Sequence, residues 1–214
     1  MPVSIWSNVQ VAVQSALGTA NTISGVTKAN PAVATYTGAN PTTGDYIVMT
    51  AQGMREIDGR VFRIANVLTG PKTFELEGVN STAFGTFSSG SFQGITYGTT
   101  LSTLRGLSSS GGDFTFIDVT TIHDQVQKQV PGLSNAATYT FESVWDIADA
   151  GLVALKAAAD TQSQRAVRFT FSNGQKVVFV GYVGATLLPG GSAQDLVTTQ
   201  VVVTMFGTPT AYST

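Results

Sequence analysis

Between Arg165 and Val180 the chain alternates with a period of two: Val167, Phe169 and Phe171 face one way, and Arg168, Thr170 and Ser172 the other. After Asn173-Gly174, Val177 and Phe179 resume the pattern with Lys176 and Val178 between them. Period two is the spacing of a strand with one buried face, and Asn-Gly supplies the positive-φ turn that a hairpin requires. A helix would scatter the same side chains around its circumference. The texture recurs in Val9, Val11 and Val13 within Val3–Leu17, in Tyr46-Ile47-Val48-Met49, in Val61-Phe62-Arg63-Ile64 and in Phe74-Glu75-Leu76-Glu77. It closes with Leu196–Phe206, where Val197, Val201, Val203 and Met205 share a face. Turn pairs at Asn40-Pro41, Asp58-Gly59 and Gly70-Pro71 punctuate these runs at close intervals. The chain is therefore mainly β.

One segment breaks the rhythm. Val144, Ile147, Ala148, Gly151, Leu152 and Leu155 recur at helical spacing, and Ser143 with Asp146 three residues on resembles a capping box, which predicts an amphipathic helix over 143–160 that covers a sheet. Residues 18–30 read as a loop, the Gly/Ser/Thr-rich stretches 88–100 and 108–112 as connections, and 207–214 as a polar tail. Phe114, Phe116 and Val119 predict a strand that pairs with a second one at Ala137–Phe141. The Gln-rich loop Thr120–Gln129 between them, closed by Pro131-Gly132, is longer than a hairpin needs, and such loops are often functional.

Composition narrows the function classes. With 214 residues and 43% hydrophobic content the chain can close one large core or two small ones. Only 11% of residues are charged, Ser, Thr, Asn, Gln and Gly fill the polar positions, and mean hydropathy is +0.17. Such a surface suits a protein packed against copies of itself. A net charge of −2 gives no positive field to hold phosphates, so tight nucleic-acid binding is disfavoured. The absence of cysteine excludes disulfides and thiolate metal sites. His123 is the single histidine; beside Asp124 and without a nucleophile elbow it makes no triad. Asp146 and Asp149 are expected on a solvated helix face, the glycine-rich stretches lack the Lys of a phosphate loop, and neither a signal peptide nor a membrane span is expected. No catalytic residue, metal or cofactor is expected.

The order of elements from Leu101 to Thr210 resembles the tail tube proteins of lambda-like phages. The resemblance rests on the 165–174 hairpin strand, Val178-Phe179-Val180-Gly181-Tyr182-Val183, the closing strand before Gly207-Thr208-Pro209, Ile117-Asp118-Val119-Thr120-Thr121 with Pro131-Gly132-Leu133, and the helix just before the Asn-Gly hairpin. Residues 23–96, with Ile23–Pro31, Gly53-Met54, Asp58-Gly59-Arg60-Val61-Phe62 and Phe74-Glu75-Leu76, depart from that family. They look like a small β-barrel module of other phage tail proteins, more distantly like the first catalytic-cysteine half-domain of ubiquitin-activating enzymes, and no catalytic residue carries over.

This resemblance implies a β-sandwich of two packed antiparallel sheets with one α-helix, formed by residues 1–22 and 97–214, plus the inserted all-β module. It also implies a structural subunit and not an enzyme: hexameric rings stacked into the DNA conduit of a long-tailed phage. The implied partners are further copies of the chain, the tape-measure protein, DNA passing without specific binding, and the tail terminator and tail-tip proteins, with no membrane. The implied location is the virion tail, and the host cytoplasm during assembly. Subunit and ring contacts are expected from Asp118, Thr120, Thr121, His123, Gln125, Gln127, Lys128 and Gln129 in the long loop, and from Met1, Pro2, Val3, Pro209 and Tyr212 near the termini. A tail decoration that binds a receptor or carbohydrate through residues 23–92 is the alternative, although Trp6 and Trp145 lie outside that stretch.

Overall fold

The structure, a computed structural model, describes residues 8–213; the expected contacts of Met1, Pro2 and Val3 lie outside them. Within the described residues each alternating run contains a strand, but Val9, Glu77, Val119, Leu196 and Val197 fall outside the strand bounds, and Val197 is exposed and not on the buried face expected for it. The first seven strands are β1 (Gln10–Leu17), β2 (Asn21–Val26), β3 (Ala32–Tyr36), β4 (Tyr46–Gln52), β5 (Val61–Leu68), β6 (Thr73–Leu76) and β7 (Ser89–Leu101). Then come β8 (Leu104–Ser110), β9 (Phe114–Asp118), β10 (Gln129–Ser134), β11 (Thr138–Val144), helix α1 (Ala150–Asp160), β12 (Gln164–Thr170), β13 (Lys176–Ala185) and β14 (Thr198–Tyr212). Twelve of these strands hydrogen-bond in the order β2-β3-β6-β5-β4-β7-β1-β12-β13-β14-β11-β8, and β9 with β10 forms a separate two-stranded sheet. The mainly β fold with one α-helix is thus present.

The first part of that ladder closes on itself. β7 bonds β4 on one side and β2 on the other, so β2, β3, β6, β5, β4 and β7 form a complete ring with no free edge. Ile23, Ala34, Tyr36, Ile47, Met49, Phe62, Phe74 and Phe92 fill it. The Phe74 ring lies 5.5 Å from Tyr36 and 5.2 Å, edge-on, from Phe92. β2 occupies much of the segment that the sequence marked as a loop.

The second core is enclosed by the outer half of β7 with β1, β12, β13, β14, β11 and β8. Tyr139 and Phe141 on β11 meet Phe169 on β12 at 5.3 and 6.0 Å, although two strands separate β11 from β12 in the ladder. On a flat sheet they would stand about 14 Å apart. The sheet therefore curls over its own apolar face, where Val11, Val13, Val167, Phe179, Val201 and Val203 are buried. Leu152, Leu155 and Ala158 of α1 complete the core.

Three local expectations need correction. β7 was read as a connection, yet residues 89–95 belong to the barrel and 95–101 pair with β1. Gly90 and Gly98 serve close approach: a Cβ on Gly90 would fall 2.3 Å from the Thr50 carbonyl oxygen, and one on Gly98 2.4 Å from Ser15 Oγ. The stretch read as a connection at 108–112 is largely the end of β8. The Asn-Gly turn stands where expected, with its positive φ at Gly174 (86°); Gly174 N donates to Phe171 O, and Phe171 N donates to Gln175 O, both at 2.9 Å. Finally, the expected polar tail continues as strand, because after a bulge β14 keeps pairing with Lys176–Val178 as far as Tyr212.

The helix begins later than its periodicity predicts. Ser143 lies in the ladder, opposite Thr199 on one side and Leu104 on the other, so it cannot cap a helix. Asp149 is the N-cap: its carboxylate accepts from Leu152 N at 2.9 Å, from Ser102 N at 3.1 Å and from the Ser102 hydroxyl. It is 5% exposed and not on a solvated face. Burial works against its ionisation, but the hydrogen bonds from Ser102, Leu152 and Gly151 together hold the carboxyl below the usual aspartate range. A lowered folded-state value stabilises the fold above the ordinary aspartate pKa and ceases to do so as pH falls through that lowered value. Asp149→Asn keeps a capping oxygen but removes the charge from three hydrogen bonds, and should cost about 1–2 kcal/mol in urea unfolding near neutral pH. The difference from the native protein should shrink as pH falls below the ordinary aspartate value of about 4; a penalty independent of pH would contradict this assignment.

Where the two cores meet, Tyr46 and Val61 of the barrel pack on Ala166, Val178, Val180 and Tyr212. The Arg168 guanidinium lies 4.6 Å from the Tyr97 ring centre and 5.4 Å from that of Tyr46. Arg63, ion-paired to Glu77, lies 4.7 Å over the Tyr212 ring, and its backbone N donates to Tyr212 Oη at 2.6 Å. Burial pushes the Tyr212 phenol up to about 12.

Candidate assembly surface

The hairpin of β8 and β11 continues past the body. Gly112 N donates to Asn135 O at 3.2 Å, Asn135 N donates to Asp113 O at 2.9 Å, and β9 then pairs with β10 to make an arm. At its root Gly111 has φ 82°, and a Cβ there would sit 2.4 Å from the Ala136 carbonyl oxygen, so the two chains cross at a distance only glycine permits. The expected partners of the arm strands change accordingly: β9 bonds β10, while β11 is bonded by β8 and β14.

The arm tip is built and not slack. Thr120 N donates to Asp118 Oδ1 at 2.8 Å and Gln127 Nε2 to Asp118 Oδ2 at 3.0 Å. Thr121 N and Oγ1 both donate to Asp124 Oδ2, at 3.0 and 2.9 Å, and Lys128 Nζ pairs with Asp124. Lys128 N donates to Thr120 Oγ1 at 2.9 Å. The Thr120 hydroxyl and amide hold the Asp118 carboxyl below its ordinary range, and Lys128 does the same for Asp124. His123, Gln125 and Gln129 are exposed, Gln129 standing opposite Asp118 in the ladder. Pro209 lines a cavity of about 630 Å³ at the arm's root, with Tyr139, Phe114 and Met205. Tyr212 is 6% exposed and is occupied within its own chain by Arg63 and Tyr46.

What composition concealed is the arm's apolar load. Phe114, Phe116, Ile117, Val119, Ile122, Val126, Val130 and Leu133 are all exposed, Ile122 at 96% and Leu133 at 86%. Two strands alone are marginal in water, and fully burying one such side chain contributes about 1.5–3 kcal/mol. Covering half of the eight would supply on the order of ten kcal/mol before association costs. The signal was present in Ile122 and Val126, which recur inside a loop that otherwise reads as polar.

Two further surfaces matter. β8 is bonded only by β11 among the described residues, so its outer margin is open. At the far end of the body an apolar groove lies between α1 and the loop after β13, its wall fixed by Trp145 Nε1 donating to Leu187 O at 2.9 Å. Among the described residues no three of His, Asp and Glu lie together in a way that could hold a metal ion, and no helix is long and apolar enough to cross a membrane.

No curated protein matches the chain. The family model described as "Phage tail tube protein, TTP" matches residues 52–214, from the last residue of β4 onward. An exposed apolar arm, an open sheet margin and a family match over most of the length agree: the chain belongs to the phage tail tube protein family, a structural component of the virion tail.

Proposed function

We propose that this chain is the repeating wall subunit of the tube, forming hexameric rings that stack into the DNA conduit of a long, non-contractile tail. The arm carries the reading: it presents eight large apolar side chains and buries none of them in either core of its own chain. Only another surface can cover them, and the most abundant one in a homopolymer is a further copy. The open margin of β8 accepts a neighbour's strand, which would remove a free edge from every subunit of a closed ring. Asp118, Thr120, Thr121, Gln127 and Lys128 shape the arm tip, while His123, Gln125 and Gln129 face outward from it. A net charge of −2 lets DNA pass without being held. The tape-measure protein would share the lumen, and the tail terminator and tail-tip proteins would meet the two ends of the tube.

The barrel, taken as residues 23–96, is on this reading an insertion that decorates the tube body built from 1–22 and 97–214. Its aromatic residues Tyr36, Phe62, Phe74 and Phe92 point inward, Phe84 and Phe87 are half-buried against them, and it holds no Trp, which favours the tube over a carbohydrate-binding role. Concentrated native protein should give rings or tubes of one diameter by negative-stain microscopy. Monodisperse monomers at every concentration would refute the proposal.

A further inference from the structure

We propose that the apolar groove beside α1 is the seat for the arm of a second copy; this rests on the tube reading and deepens it by naming the acceptor. The register of the strands places arm and groove at opposite ends of the body. β11 leaves the arm's root at Thr138, opposite Thr204, and reaches Val144, opposite Thr198, one residue before Trp145. β13 ends at Ala185, opposite Val201, and delivers Thr186 and Leu187 to that same end. Seven residues of strand separate the two features, or about 20 Å. An arm therefore cannot fold back into its own groove without leaving the hairpin that carries it.

The chemistry of the two surfaces matches. The groove, about 300 Å³, is walled by Trp145, Ile147, Leu152, Val153 and Leu187, and Ile147 and Val153 are exposed to solvent. The Trp145 to Leu187 hydrogen bond means that the walls stand before anything enters, so little ordering cost is added on binding. The arm tip offers Ile122 and Val126. On the arm Lys128 is paired with Asp124 and on the helix Lys156 with Asp160, while Asp146 at the groove's rim accepts from Ala148 N. A seated arm leaves both lysines paired and must keep the exposed Asp146 carboxylate in contact with water. A projection at one end and its socket at the other make a heterologous contact that never closes, so each copy both gives and receives along one axis.

Two variants test this, each changed only at exposed side chains so that the monomer stays folded. One carries Ile122→Ser with Val126→Ser and has lost its projection; the other carries Ile147→Glu with Val153→Glu and has lost its socket. Each alone should fail to build tubes. An equimolar mixture should form a species of twice the mass that either variant forms alone, and nothing larger, by sedimentation velocity. A socket variant that builds normal tubes would overturn the groove assignment and leave the tube reading standing. A blocked socket variant whose mixture shows no doubled species would also overturn it, since something other than an arm then fills the groove. Native protein that never assembles would remove the proposal together with the reading beneath it.

Discussion

A variant lacking residues 113–134 should fold as the native protein does and should not polymerise. The cut is possible because Gly112 and Asn135 are already hydrogen-bonded neighbours, so joining them leaves a short loop between β8 and β11. None of the deleted residues belongs to any of the buried clusters. The unfolding free energy should therefore move by no more than about 1 kcal/mol, and the circular dichroism spectrum should remain that of a β protein. Tube formation should disappear at concentrations where the native chain polymerises fully. Tubes of native diameter from the shortened chain would refute the role given to the arm, and a chain that cannot fold would show that the arm supports its own body.

The opposite pattern is expected for Phe169→Ala. Phe169 is 1% exposed, and its ring meets Tyr139, Phe141 and Phe179 at 5.3, 6.0 and 5.6 Å, where the curled sheet closes over itself. Removing it opens a cavity lined by three rigid rings that cannot collapse, at a cost of about 3–5 kcal/mol. Against a typical total of about 5–15 kcal/mol, that would lower the melting temperature by roughly 6–20 °C. Phe116→Ala is the matched control: the same side chain is lost from the exposed arm, and the monomer's melting point should hardly change. Equal losses at the two positions would mean that the arm packs on its own chain.

How much of this could be read beforehand depended on whether a rule of local pattern or of distant pairing decided each element. The 164–185 hairpin and the barrel strands at Tyr46, Val61 and Phe74 were legible because alternation and turn residues are local facts. β7 was not, because its Gly, Ser and Thr look like a linker until β4 and β1 lie beside them. The helix start was missed for the same reason: Val144 and Ser143 suit a helix, but two flanking strands claim them. At the candidate surface the position of the excursion was legible from its length and turn residues. Its character was not, because polar Thr and Gln outnumber the few apolar side chains whose exposure carries the meaning. Tyr212, expected at a subunit contact within a polar tail, is tied down by Arg63 on a strand 149 residues away in sequence, a contact no periodicity announces.

β7 also bears on how the finished tail behaves. Because a single thirteen-residue strand is wall to one core and spine to the next, and because Arg168 and Tyr97 brace the junction, the barrel cannot swing on a tether. It is cantilevered from the body. If the barrel decorates the tube as proposed, any push or pull it meets passes through β7 into β1 and the ladder behind it, so a load on the ornament is a load on the wall.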